Sequence, residues 1–165
     1  TGEPLPATAY RSWLLSNGVS YVALADAPLD YAATAEAVLL RSGQVDGLQA
    51  VWRNAHWQLW QVVGSPGLAS GPARILSLTP RSVRVQVSGP GQSELRLRWS
   101  PYWSIAPTFG VPASRAQASG GQACLSRGPG GWTDLSADAA GELGLSLSVA
   151  HANHGHCPPA GSVRS

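Results

Sequence analysis

Residues 142–151 read ELGLSLSVAH, with Leu143, Leu145, Leu147 and Val149 at every second position. Successive side chains of a strand point to opposite faces, so this alternation predicts an extended segment with one dry face. Two earlier runs repeat the pattern. SVRVQVS (82–88) sets Val83, Val85 and Val87 against Arg84 and Gln86, and ELRLRWS (94–100) sets Leu95, Leu97 and Trp99 against Glu94, Arg96 and Arg98. The PGQ and PGGW stretches between them are turn chemistry. Alternating strands joined by Gly/Pro turns predict an antiparallel β-sandwich, jelly-roll-like, over residues 73–157.

Upstream the period changes. Tyr10, Trp13 and Leu14 share a helical face within residues 6–17, and Asn17-Gly18 supplies a stop. VSYVALA (19–25) reads as a short strand of the buried type. In DAPLDYAATAEAVLLRSG, Asp30 can cap a second helix with a stripe of Tyr31, Ala35, Val38 and Leu39, ended by Gly43. LQAVWR and HWQLWQVV are strand-like and separated by a turn at Asn54-Ala55. Together these make a small α/β unit over residues 1–64. The Gly/Pro/Ser-rich stretch 65–72 reads as a linker, and 158–165 as a disordered tail. The expected fold class is α+β, with the small N-terminal α/β unit packed on the C-terminal sandwich.

Composition narrows the function. Only 12% of the 165 residues are charged, all eleven basic residues are arginine, and the net charge is +2. Without a basic cluster, nucleic acid is not an expected partner. No apolar run reaches the roughly 18 residues of a membrane helix. The chain opens without methionine, so it reads as a piece of something longer.

The run HANHGHC (151–157) holds His151, His154, His156 and Cys157 in one short segment. Zinc sites usually draw ligands from two separated pairs, and this spacing matches none of the usual patterns. By strand parity His151 continues the inward series that ends at Val149, so it can simply finish a strand. Cys157 has a partner in Cys124, the other cysteine of the chain, and in an oxidising compartment two cysteines pair. Closing that loop is worth roughly 3–4 kcal/mol by chain entropy. The expectation is a Cys124–Cys157 disulfide, with no metal and no cofactor.

Asp26 and Asp30 follow the first strand, a common position for catalytic acids, but capping and turn formation account for both. No nucleophile elbow, zinc-protease motif, phosphate loop or dinucleotide fingerprint is present. Aromatics are more informative. Seven tryptophans include Trp52, Trp57 and Trp60, then Trp99 and Trp103 beside Tyr102, then Trp132. Flat indole faces grip the C–H faces of sugar rings while polar neighbours take the hydroxyls. Tyr102, Trp103 and Trp132 are candidate platforms, with Asp134 and Arg98 as hydrogen-bonding company. The plain alternative is that Trp99 and Trp103 fill the sandwich while Trp57 and Trp60 seal the junction between the two parts.

The order WLLSNGVSYVAL, AEAVLLRSG, VWRNAHWQLWQV, GPARILSL, LRWSPYWSI and GGWTDL resembles the C-terminal extracytoplasmic domain of actinobacterial multi-spanning membrane proteins. Those proteins are similar to GT-C type glycosyltransferases, which use lipid-phosphate sugars. The likeness covers nearly the whole chain, and its motifs are aromatic rather than catalytic. It implies an outward location on a membrane-anchored parent, and an accessory role beside chemistry performed on other loops. The expected partners are envelope glycan and the parent's membrane region.

The reading is therefore a non-catalytic module that binds envelope carbohydrate weakly. A purely structural or protein-interaction domain is the first rival, and it expects every tryptophan to be buried. A metal-dependent hydrolase built on His151, His154 and His156 is the second.

Overall fold

In the computed structural model, which describes residues 5–106, 122–150, 152 and 155–158, the chain divides into two units, Thr1–Gly67 and Leu68–Ser165. No described helix is long and apolar enough to cross a membrane.

The first unit begins with helix α1 (Ala7–Ser16), which buries Tyr10 and Leu14. Trp13, expected on that face, is exposed and stacks beside the Tyr10 ring. Strand β1 (Tyr21–Ala25) leads into helix α2 (Tyr31–Ser42). Asp30 caps α2 as expected, its carboxylate accepting the Ala33 N–H at 2.7 Å, and Gly43 ends it in the left-handed conformation. The buried face of α2 is Ala37, Leu39 and Leu40, whereas Tyr31 and Val38 point to solvent. The expected stripe is thus rotated. With alanines at 32, 33, 35 and 37, the helix is nearly apolar all round, and periodicity does not single out one arc.

Strands β2 (Leu48–Arg53) and β3 (Trp57–Val62) complete an antiparallel sheet in the order β1-β3-β2. Val22 and Leu24 of β1 and Trp60 and Val62 of β3 face the helices and join Tyr10, Leu14, Leu39 and Leu40 in one core. β1 is therefore an edge strand buried on one face, not the wholly buried run expected of VSYVALA. Tyr10 donates a short hydrogen bond to the Glu36 carboxylate. Burial, then that bond and the carboxylate's charge, hold its hydroxyl pKa well above the usual value.

The second unit has strands β4 (Ala73–Leu78), β5 (Ser82–Val87), β6 (Gly91–Arg98), β7 (Trp103–Ala106), β8 (Ala123–Arg127), β9 (Trp132–Ala137) and β10 (Gly141–Leu147). They form sheets β4-β5-β10-β7 and β6-β9-β8 with all ladders antiparallel. Val83, Val85, Val87, Trp103 and Leu145 from the first sheet pack with Leu95, Leu125 and Leu135 from the second. This is the expected β-sandwich. β10 lies between β5 and β7, and β9 between β6 and β8, so late strands nest between early ones as in a jelly roll. Buried Thr133 satisfies its hydroxyl on the Leu97 carbonyl at 3.0 Å.

Residues 68–70, expected in a linker, instead run along β6. The Ser70 N–H donates to the Glu94 carbonyl at 3.0 Å and the Arg96 N–H to the Leu68 carbonyl at 2.8 Å. Gly71 and Pro72 make a turn inside the second unit, whereas Pro66 and Gly67 end the first. The inward series of β10 also stops early. Its strand ends at Leu147, and Val149 is 80% exposed, so the alternation does not carry on toward His151. His151, His154 and the tail beyond Pro158 lie outside the described residues.

The last described segment returns to β8. The Leu125 N–H donates to the Gly155 carbonyl and the Cys157 N–H to the Leu125 carbonyl, both at 2.8 Å, a parallel bridge beside β8. The Cys124–Cys157 disulfide locks it, with an S–S distance of 2.02 Å. Glycine suits position 155: its φ is 77°, where other residues are strained, and a Cβ would stand 3.0 Å from Ile105.

Candidate functional site

The residues picked from sequence do not form one site. Trp103 is only 6% exposed, belongs to the sandwich core, and donates its indole N–H to the Arg98 carbonyl at 3.0 Å. A sugar stacks on an open ring face, and buried Trp103 offers none. Tyr102 is exposed and lines an apolar groove of about 460 Å³ with Leu97, Trp103, Leu147 and Val149. Arg98, Trp132 and Asp134 do come together on the outer face of the β6-β9-β8 sheet, where Trp132 pairs with Arg98 and Asp134 with Glu94. The Arg98 guanidinium sits 4.0 Å from the Trp132 ring centroid and donates to the Gly130 carbonyl at 2.9 Å. It covers one indole face with a cation–π contact, which leaves that face closed to a sugar.

Asp134 faces Gly128 closely enough that a Cβ there would lie 2.4 Å from its carboxylate oxygen. Burial, and secondarily the negative charge of Glu94, raise its pKa above the ordinary carboxylate value. Arg96 offsets Glu94 through an ion pair at 3.0 Å. Asp134 thus sits beside the Arg96–Glu94 pair, half-buried and without a hydrogen-bond partner of its own among the described residues.

His156 is also accounted for. Its Nε2 donates to the Trp103 carbonyl at 2.9 Å, and its ring lies against Trp99 at 4.8 Å between centroids. With Cys157 in the disulfide, two of the four clustered ligand candidates are committed to structure. Among the described residues, no group of three or more His, Cys, Asp or Glu side chains is placed to hold a metal. Asp26 is exposed at the end of β1, with its N–H donating to the His56 carbonyl at 2.7 Å.

The most open aromatic surface lies in the first unit. Helices cover one face of the β1-β3-β2 sheet, and the other is bare. Cross-strand partners on the bare face form three rows: Gln49–Gln61–Tyr21, Trp52–Leu59–Ala23, and Trp57–Ala25. Trp52 is 53% exposed and Trp57 49%, and none of these side chains carries a charge. Trp57 and Trp60, three residues apart on one strand, point to opposite faces, so Trp60 goes to the core and Trp57 to solvent. A register shift between Ala50 and Trp52 bulges β2 and turns Trp52 onto the same face as Leu59. From Gln61 to Trp57 the strip runs ~13 Å along β3. At one end Tyr21, Gln49 and Gln61 border a polar recess of about 470 Å³. At the other, Trp57 borders a polar cleft of about 310 Å³.

The sequence marks Trp52, Trp57 and Trp60 as one aromatic cluster, and the alternation in WQLWQV separates Trp57 from Trp60. No family model, curated protein or solved structure matches the chain.

Proposed function

We propose that this chain is a non-catalytic accessory module of a membrane protein of cell-envelope glycan assembly, placed outside the cytoplasm, and that it binds carbohydrate weakly. The observation that carries the reading is the bare sheet face with Trp52 and Trp57 half exposed, flanked by the amides of Gln49 and Gln61. Uncharged indole rings offer flat apolar surface to sugar C–H groups, and amides both donate to and accept from hydroxyls. The outward location draws support from the disulfide, since such bridges persist in oxidising compartments. Tyr102 and Trp132 are lesser platforms, the first in an apolar groove and the second covered by Arg98. The structural rival expects every tryptophan to be buried, and Trp13, Trp52 and Trp57 are exposed.

The test is titration with neutral oligosaccharides released from cell envelope, followed by indole NMR signals and tryptophan fluorescence. The Trp52 and Trp57 indole signals should move at millimolar ligand. Trp52→Ala and Trp57→Ala should each weaken binding by about tenfold, the worth of one well-placed ring, with the unfolding midpoint unchanged. Static spectra throughout would remove the reading. Capture of a protein through the same face would favour the interaction rival.

A further inference from the structure

The cleft beside Trp57 has a different chemistry from the sheet face. Arg41 enters it from the last turn of α2, and Arg53 from the end of β2. Asp26, Asn54, His56 and Gln58 complete its polar lining. Neither guanidinium has a hydrogen-bond or ion-pair partner among the described residues, although Asp26 lines the same cleft. Two arginines against one carboxylate leave the cleft with a net positive charge. The Asn54 turn that lines it is held by side-chain and backbone hydrogen bonds. Asn54 Oδ1 accepts the N–H groups of His56 and Trp57, both at 2.8 Å, and the Asn54 N–H donates to the Trp57 carbonyl at 2.9 Å. The Asp26 N–H then ties β1 to this turn through the His56 carbonyl. Beside this turn stand two unpaired guanidinium forks, each able to take a planar or tetrahedral oxyanion bidentately.

We propose that this cleft binds an oxyanion, carboxylate or phosphate, carried on a sugar whose ring lies against Trp57. Arg41 and Arg53 hold the anion, while Asn54 and Gln58 meet neighbouring hydroxyls. The sugar part of this inference rests on the carbohydrate reading above, and the anion part stands on the two arginines. The ligand class is thereby narrowed from glycan in general to acidic or phosphorylated glycan.

The experiment titrates the whole chain with inorganic phosphate, glucuronate, glucose 1-phosphate and neutral glucose, reading the side-chain Nε–H signals of Arg41 and Arg53 and the ring signals of His56. Phosphate or glucuronate should shift these signals, with the effect fading at high salt. Arg41→Gln together with Arg53→Gln should weaken anion binding at least tenfold while leaving neutral oligosaccharide binding at Trp52 untouched. Whichever of glucuronate and glucose 1-phosphate binds more tightly identifies the anion. Silent arginine signals with every anion would overturn the proposal, even if neutral glycan bound the sheet face. Anion shifts without any response to neutral glycan would keep the anion site and remove the carbohydrate reading instead.

Discussion

Asp134 shows how one residue's surroundings decide between site and scaffold. Its carboxyl lies against Gly128 and opposite Glu94, and both burial and that charge raise its pKa. A carboxyl whose native pKa exceeds its unfolded value holds more proton when folded. Its contribution to stability is therefore lost as pH rises through the window between the two values. Asp134→Asn should accordingly show a denaturation midpoint at pH 7 equal to or above that of the parent. This advantage should vanish well below the ordinary carboxylate pKa of about 3.9. Urea melts of both proteins across that range check the point, and a large loss at neutral pH would refute it. Trp103 teaches the same lesson from the other side. Its indole N–H finds the Arg98 carbonyl, which lets the whole ring be buried, and nothing in WSPYWS distinguishes a buried ring with a partner from an exposed one.

At the scale of elements, legibility followed periodicity. The alternating runs at 82–88 and 94–100, and the first half of 142–151, became strands whose apolar sides meet in the sandwich. Alternation failed where burial has a second cause. Val149 fits the period yet lies beyond the end of β10, whose last paired residue is Leu147, because apolar spacing cannot show where a strand's partners stop. Helix α2 was legible at its ends and illegible around its circumference. Its cap gives a direct check: Asp30→Ala removes the acceptor for the Ala33 N–H and should cost about 1 kcal/mol of stability. Denaturant unfolding would measure it, and Asp30→Asn should restore most of the loss. The sheet face with Trp52 and Trp57 was hidden for a similar reason. Side-chain parity in β3 was readable, but the bulge in β2 that brings Trp52 beside Leu59 leaves no signature in LQAVWR.

For the whole molecule, the disulfide is the constraint with the largest calculable weight. Cys124 and Cys157 are 33 residues apart, and the loop they close contains β9 and β10. Chain entropy assigns such a loop roughly 3–4 kcal/mol, so Cys124→Ser with Cys157→Ser should lower unfolding free energy by about that amount. Denaturant titration of the second unit's transition measures the loss, and an unchanged midpoint would mean that the bridge adds nothing to the native state. The bridge was readable from a cysteine count, whereas its placement was not, since the return of residues 155–157 alongside β8 depends on Gly155 meeting Ile105 at close range.

That returning segment has a further consequence. It occupies hydrogen-bonding groups of Leu125 that would otherwise stand ready for another chain. Reduction would therefore do more than loosen a fold: it would free one amide N–H and one carbonyl on the edge of β8 for pairing with a second molecule. In a thiol-rich medium light scattering should therefore rise with protein concentration, and scattering that stays flat would show that this edge does not pair.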